Sequence, residues 1–358
     1  MDFDIIIIGS RVAGSALATL LGQYGHHILI LDKATFPSDT LSTHFFRAPA
    51  FKVFERMGVF NQILLTTPKL INSFSDFDGQ VSNQPVEDSG NYNYYLCVRR
   101  ITLDDILLKR VQREATVELH QGATLDELVW EGERVVGVRW REANLHLEAK
   151  ARVVVGADGF YSQVAKQVKP IVEHSEPINR AMYYTYFQGL QSQDGPAAEF
   201  HLRGNHLVYV FPTDNSLTLI AASVPIVKFD GFRKDPERRL MAELEALPTL
   251  APRLHRAERF GSVRGAGNIP GYMRIPYGQG WVLAGDAETI QDPWSGRGID
   301  HASTHAALLA DSLHIWLSDE MEWEQAMKQY HAARNEFSLE TYQQTCMYSR
   351  DLSLLNRQ

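Results

Sequence analysis

Asp4-Ile5-Ile6-Ile7-Ile8-Gly9-Ser10-Arg11-Val12-Ala13-Gly14-Ser15, continued at Ile28-Leu29-Ile30-Leu31-Asp32, decides how this chain is read. Four isoleucines in a row suit a parallel strand buried on both faces. Gly9 allows a sharp turn where that strand ends. Gly14 removes a side chain where the next helix meets the sheet. The helix start offers free N–H groups and a positive dipole end to a pyrophosphate. A second apolar strand then stops at Asp32, whose carboxylate can accept from both ribose hydroxyls. This is the layout of a doubly wound α/β unit that receives the adenosine half of a dinucleotide. One position departs from the fingerprint. Arg11 stands where a second glycine normally lets the backbone approach the pyrophosphate.

The 358 residues suffice for about two domains, and 44% hydrophobic content supports a sizeable core. A net charge of −8 without any dense Lys/Arg tract argues against a nucleic-acid partner. Two cysteines, Cys97 and Cys346, make neither a disulfide framework nor a metal site by spacing. They fit a reducing compartment. The N-terminus lacks a basic n-region, and no apolar run reaches transmembrane length. The expectation is a cytoplasmic protein with no transmembrane segment and no bound metal.

Further along, apolar residues 13, 16, 17, 20, 21 and 24 predict a first helix over 12–24, stopped by Gly25. The stretch Thr35 to Arg47 is polar, then aromatic. His44 and Arg47 within it are candidates for acid–base or substrate contacts, weighed against an ordinary solvated loop. Residues 48–58 look helical. Residues 67–97, with Asp78-Gly79 and three tyrosines, suggest hairpins crossing into a second domain. Thr102 opens a helix with apolar positions 103, 106, 107 and 111. Arg99 and Arg100 precede it, either as a solvated pair or as a holder of a phosphate or flavin edge.

Residues 125–150 read as a meander of short strands. Arg152 to Gly159 gives a second buried strand ending in Gly-Ala-Asp-Gly, and Trp281 to Ala287 a third ending in Gly-Asp. Strand ends of this kind converge on one ligand in a doubly wound sheet. Between them, 181–188, 198–202, 206–211 and 216–223 are strand-like and aromatic. Asp194-Gly195-Pro196 and other turn signals separate them, which predicts an antiparallel sheet. Tyr184 and Tyr186 share one face of it, while Tyr183, Thr185 and Phe187 share the other. Only one face can line a pocket. Helices are expected near 235–247, from about 298 to 317, and over 322–350.

Three separated motifs together resemble one family: Gly9 to Gly14 with Asp32; Gly156-Ala157-Asp158-Gly159; and Gly285-Asp286-Ala287 with Asp292-Pro293 and Gly296-Arg297-Gly298. The chain resembles the FAD-dependent class A flavoprotein monooxygenases (the para-hydroxybenzoate hydroxylase superfamily). It is most similar to the branch near geranylgeranyl-reductase-like oxidoreductases and flavin-dependent halogenases. The resemblance implies an α/β fold. A Rossmann-like FAD-binding domain of the glutathione-reductase type would span 1–66, 98–169 and 263–320. A mostly antiparallel substrate domain, 67–97 and 170–262, would be inserted in it. A C-terminal helical segment would cover 321–358.

By the same resemblance, Gly9, Val12, Ala13, Gly14, Asp32 and Lys33 would bind the ADP portion of FAD. Arg11 would bring charge to the pyrophosphate where close backbone approach is lost. Arg100 would contact the flavin side, Asp158 would belong to the motif linked to FAD and NAD(P)H, and Gly285 and Asp286 would hold the ribityl chain. Pro293 would sit by the reactive ring edge. Gly296, Gly298 and Ile299 would place amide groups and a helix start near flavin N1, where negative charge collects on reduction. Tyr184, Tyr186, Tyr209 and Phe211 would line the substrate pocket. Pro293, His44 and Arg47 are the catalytic candidates.

The implied function is NAD(P)H-dependent monooxygenation of a small planar or aromatic substrate by O2, through a flavin C4a-hydroperoxide. NAD(P)H would be a transient reductant, with room for a separate flavin reductase as partner. The hard chemistry then belongs to the cofactor. A C=C reductase of prenyl chains is the alternative, and a non-catalytic flavin-binding relative the third reading. The Trp-x-Trp-x-Ile-Pro motif of halogenases is missing.

Overall fold

The computed structural model describes residues 2–193 and 195–357, so Asp194 of the expected Asp194-Gly195-Pro196 turn lies outside the described residues. The chain begins with β1 (Phe3–Ile8), α1 (Val12–Gln23) and β2 (Ile28–Asp32). After α2 (Ala48–Arg56) it leaves for a hairpin, β3 (Asn72–Phe77) and β4 (Gln80–Pro85). It returns as α3 (Arg100–Val111) and β5 (Val117–Gln121). The long β6 (Leu145–Gly156) closes an antiparallel meander whose other strands are Ala123–Glu131 and Arg134–Glu142. These strands run nine to twelve residues, longer than the short ones expected.

A second excursion supplies β7 (Arg180–Gln188), β8 (Ala197–Arg203), β9 (His206–Pro212), β10 (Leu217–Pro225) and, after three short helices, β11 (Glu258–Ala266). The chain ends with β12 (Trp281–Leu283), α4 (Gly298–Leu317) and α5 (Trp323–Arg350). Among the described residues, no helix is long and apolar enough to cross a membrane.

The first sheet has the parallel core β12-β6-β1-β2-β5. Ile5 to Ile8 are all buried, because both faces of the sheet are covered. Ile5, Ile7, Val153 and Val155 face α1, α2 and α4, while Ile6, Ile8 and Val154 face the meander. Each such side chain contributes on the order of 1.5–3 kcal/mol relative to exposure. Parallel strands end on the same side. The turns after β1, β2, β6 and β12 therefore meet there, bringing together Gly9, Asp32, Asp158 and Gly285.

The second sheet runs β11-β7-β10-β9-β8-β3-β4 and is antiparallel except for the β8–β3 pair. Alternation along β7 sends Tyr184 and Tyr186 to one face, packed with Phe45, Tyr209 and Phe211. Tyr183 and Phe187 go to the other, under the helices that span 229–254. Residues 67–97 divide between the two cores. β3 and β4 join the second sheet, whereas Tyr92, Tyr94 and Leu96 pack beside Phe51 and Phe60 of the first.

α3 starts two residues before the expected opening at Thr102. Asp214 accepts the Arg99 N–H at 2.9 Å and the Thr102 hydroxyl at 2.6 Å. Thr102 thus ties α3 to the second sheet and does not cap it.

Candidate functional site

A cavity of about 500 Å³ opens along the C-terminal ends of the parallel strands. Its wall includes Gly9, Arg11, Val12, Ala13, Asp32 and Lys33 from the first two strand ends and α1. It also includes Arg100, Asp158, Gly285 and Asp286, and Pro293, Gly296, Gly298 and Ile299 from the segment that leads into α4. Of the residues expected to hold the cofactor, only Gly14 is off the wall, and its role is steric. A Cβ there would lie 1.8 Å from the Gly9 carbonyl oxygen. Gly9 has φ +99°, and a Cβ on it would meet the Ala157 oxygen at 2.4 Å. Close packing of turn, helix and neighbouring strand end requires both glycines.

Two helices point their N-termini into this cavity, α1 from behind Arg11 and α4 from behind Arg297. Neither has a side-chain cap. The first-turn N–H groups of each therefore remain for a ligand. At α4 a Cβ on Gly298 would meet nothing within 4 Å, so the backbone there borders open space. Two donor ends on one cavity, from helices that pack side by side on one face of the sheet, fit a ligand with two electron-rich parts, as FAD has.

Asp32 accepts from Ser10 N at 2.7 Å, Ser10 Oγ at 2.8 Å and Ala34 N at 2.8 Å. These bonds orient the carboxylate, which keeps acceptor capacity toward the cavity. Asp158 spends its oxygens on Ser162 Oγ, Gln163 N and Val164 N, shaping the turn it sits on. Burial raises the Asp286 carboxyl above its usual range, with Arg100 opposing the shift.

Arg11 is not aimed freely at the pyrophosphate end. Its guanidinium donates to Asp104 at 2.5 Å and to Ser38 O and Oγ at 3.2 and 3.1 Å. Arg100 donates to the other oxygen of Asp104 at 2.9 Å. The charge expected to replace close approach is thus already answered by a buried carboxylate. Arg99 turns away from the cavity to pair with Asp214 at 2.8 Å.

The catalytic candidates separate. Pro293 lies on the wall and borders a small apolar annex of about 70 Å³, lined also by Leu41, Thr43, Met182, Tyr184 and Ala266. His44 is fully buried behind Ser42 and Thr43, which do line the cavity. Its Nε2 lies 2.6 Å from the Tyr186 hydroxyl. Burial first, then the charges of Arg100 and Arg99, lower its pKa to about 3, so it is neutral. Arg47 is also off the wall. It grips the glycine turn through Ser295 O at 3.0 Å and Gly296 O at 3.3 Å, and pairs with buried Asp300 at 3.0 Å. Its place is that of a clamp on the α4 entrance.

Of the four expected substrate residues, Tyr184 reaches the annex. Tyr186 is held by His44, the Tyr209 hydroxyl donates to Trp294 O, and Phe211 stacks on Phe45 at 4.6 Å. These three belong to the packed face between the sheets. Conversely, Arg297, quoted only as part of the glycine motif, and His301, not singled out from the sequence, also line the cavity. The spacing of His301 and His305, four apart at the start of a helix, was the available signal.

The family described as FAD binding domain matches residues 2–345. In sequence, the chain is 29% identical over 345 residues to the probable electron transfer flavoprotein-quinone oxidoreductase YgcN of Escherichia coli (strain K12), covering 87% of this chain and 76% of that protein. In structure it is similar to the myxobacterial chondrochloren halogenase CndH, with a TM-score of 0.87 at 23% identity, covering 95% of this chain and 81% of that one. PqsL, a probable FAD-dependent monooxygenase from Pseudomonas aeruginosa, gives 0.81 at 20% identity, covering 98% and 96%. At these identities the structural likeness is one of fold.

Proposed function

The chain belongs to the FAD-binding domain family, and from that membership we propose that it is an NAD(P)H-dependent monooxygenase acting on a small planar or aromatic substrate. One observation carries the reading. A single cavity joins the dinucleotide turn at Gly9 to the uncapped start of α4, and there, at Pro293, it meets an apolar annex under the second sheet.

Bound FAD would supply acceptance of a hydride and reaction of its reduced form with O2. The chain's own residues do the rest. Val12 and Ala13 would present amides to the pyrophosphate, with Asp32 and Lys33 at the ribose; the Gly9 N–H is donated to Leu31 O at 2.7 Å and holds the turn. Arg100 and Asp286 border the middle of the cofactor. Gly298 and Ile299 at the uncapped α4 N-terminus would stabilise negative charge at the pyrimidine edge, while the Gly296 N–H closes the turn on Pro293 O at 3.0 Å. Tyr184, Met182 and Pro293 would hold a flat substrate in the annex and exclude water from it. Arg47 fixes the α4 turn, and neutral His44 fixes Tyr186.

The compact annex supports a small substrate over a prenyl chain, and so monooxygenation over C=C reduction. The test is NAD(P)H oxidation by the yellow holoprotein, with and without O2, over a panel of small aromatics. The reading expects substrate-stimulated oxidation that requires O2, and a product heavier by one oxygen atom. Equal oxidation without O2, with a hydrogenated product, would replace it by the reductase reading.

A further inference from the structure

Behind the cavity wall lies a buried cluster that the reading above leaves unused. His301 is the only histidine among the described residues that lines the cavity. One turn along α4, the His305 ring stacks on it at 5.4 Å, and Phe337 of α5 packs edge-on against both rings. His305 Nδ1 lies 3.4 Å from Glu288 Oε1. Neither ring nitrogen of His305 has a hydrogen-bond partner, although the side chain is fully buried.

Glu288 is itself fully buried, two residues past Asp286. Its other oxygen accepts from the Tyr330 hydroxyl, and Arg334 Nε lies 3.3 Å from Oε1. Arg334 also reaches Glu173 at 3.5 Å, and Glu173 meets His331 at 2.9 Å on a partly exposed surface. The groups facing Glu288 are therefore Thr289 beside it, His305 from α4, and Tyr330 and Arg334 from α5.

Burying a glutamate, an arginine and two histidines is costly unless every group is paired. Here the histidine next to the carboxyl is not paired. Its Nδ1, 3.4 Å from the Glu288 carboxyl, is free to accept a proton from it. A neutral imidazole accepts a proton on one nitrogen and releases one from the other.

We propose that Glu288, His305 and His301 form a proton relay behind the cavity, in which Glu288 stores the proton that flavin reduction takes up. The relay rests on the proposed function only in needing bound, reducible FAD. Going from the oxidised cofactor to its reduced anion takes two electrons and one proton. An electron-only donor such as dithionite supplies the electrons. The proton leaves the Glu288 carboxyl for His305 Nδ1, is handed to His301 as the His305 ring, which no hydrogen bond holds, turns out of its stack, and enters the cavity. The Glu288 carboxylate that remains in the reduced protein is held by Tyr330 and Arg334. Burial pushes the Glu288 carboxyl up to about 7, against the pull of Arg334 and Tyr330, so it can hold or yield a proton near neutrality. Burial lowers both histidines, so they carry a proton without keeping it.

The test is the reduced-minus-oxidised infrared difference spectrum of the holoprotein, with dithionite as reductant at neutral pH. The expected result is loss of a protonated carboxyl C=O band. That band shifts when glutamate is labelled with carbon-13 and stays put when aspartate is labelled, which separates Glu288 from Asp286 and Asp292. It vanishes in Glu288→Gln. In His305→Phe the carboxyl stays protonated while the flavin bleaches. The labelling arm needs no mutation, so it stands if a variant fails to fold. A yellow, reducible protein without the band, or with a band that survives in a folded Glu288→Gln, overturns the relay and leaves the functional reading standing. Normal flavin reduction with the band present but no NAD(P)H oxidation overturns that reading and leaves the relay. A protein that binds no FAD overturns both.

Discussion

Arg11 and Asp104 lie 93 positions apart in sequence and meet at 2.5 Å, with Asp104 wholly buried and shared with Arg100. The residue that departs from the glycine fingerprint is thus a strut between the dinucleotide turn, α3 and the Ser38–Asp39 loop. Arg11→Gly should cost stability, while its effect on FAD affinity should show little dependence on salt. Asp104→Asn should cost more, about 3–5 kcal/mol, because it leaves two guanidiniums without their carboxylate. Urea unfolding of the variants, with FAD titration at low and high salt, checks both. A steep salt dependence lost in Arg11→Gly would return the arginine to the pyrophosphate.

Two glycines should fail in different ways. Gly14→Ala drives a Cβ into the Gly9 carbonyl oxygen and should destabilise the protein by several kcal/mol. Gly298→Ala meets no protein atom within 4 Å. It should leave apoprotein stability within about 0.5 kcal/mol, apart from the small gain in helix propensity, and still lower flavin occupancy. Melting curves of apoprotein and the flavin-to-protein absorbance ratio separate the two.

The pH dependence of stability should carry the mark of His44. Its folded pKa of about 3 lies below the ordinary imidazole value of 6.5. Between those values the unfolded chain binds more protons than the folded one, so stability falls as pH drops from about 6.5 toward 3 and is fully present above 6.5. Replacing His44 by Asn should flatten that fall by about 1.4 kcal/mol per pH unit. Glu288 acts in the opposite sense. Its carboxyl is raised from 4.5 to about 7, so its contribution is lost as pH rises through that window. Glu288→Gln should therefore steepen the acid-side fall that His44→Asn relieves. Unfolding free energies measured at intervals from pH 4 to 8 show both slopes.

Arg47 should act on the cofactor without touching it. Arg47→Met removes the grip on Ser295 and Gly296 and strands Asp300, whose side chain is 2% exposed. A loss of about 3–5 kcal/mol is expected from the unpaired carboxylate. Arg47→Met with Asp300→Leu should recover part of that loss yet still bind FAD weakly, because the α4 turn remains unclamped. Denaturation and flavin titration of the single and double variants test the coupling.

Much of the scaffold is legible in the residues, and the reasons are local. Ile5 to Ile8 and Arg152 to Gly156 are short apolar runs ending in glycine, so they announce buried parallel strands. The aromatic strands 180–225 alternate with period two. The cavity wall was legible at Gly9, Asp32, Asp158, Gly285 and Pro293, because the strand ends and the segments after them gather on one side of such sheets. Side chains that act through distant partners were not. Tyr209 and Phe211 have the composition of pocket walls, yet Phe45 and Trp294 cover them.

The sequence by itself determined the doubly wound unit, the turn that carries Gly9 and Gly14, and the strand ends that meet at one ligand, since these follow from hydrophobic period and backbone freedom within a few residues. Only the tertiary structure decided which carboxylate answers Arg11, which face of β7 turns to the cofactor, and which histidine borders the cavity. His44 and His301 are equally histidines in the sequence. One lies behind a loop, against Tyr186 142 positions away, and the other on a helix facing the wall, and that depends on packing between segments far apart in the chain.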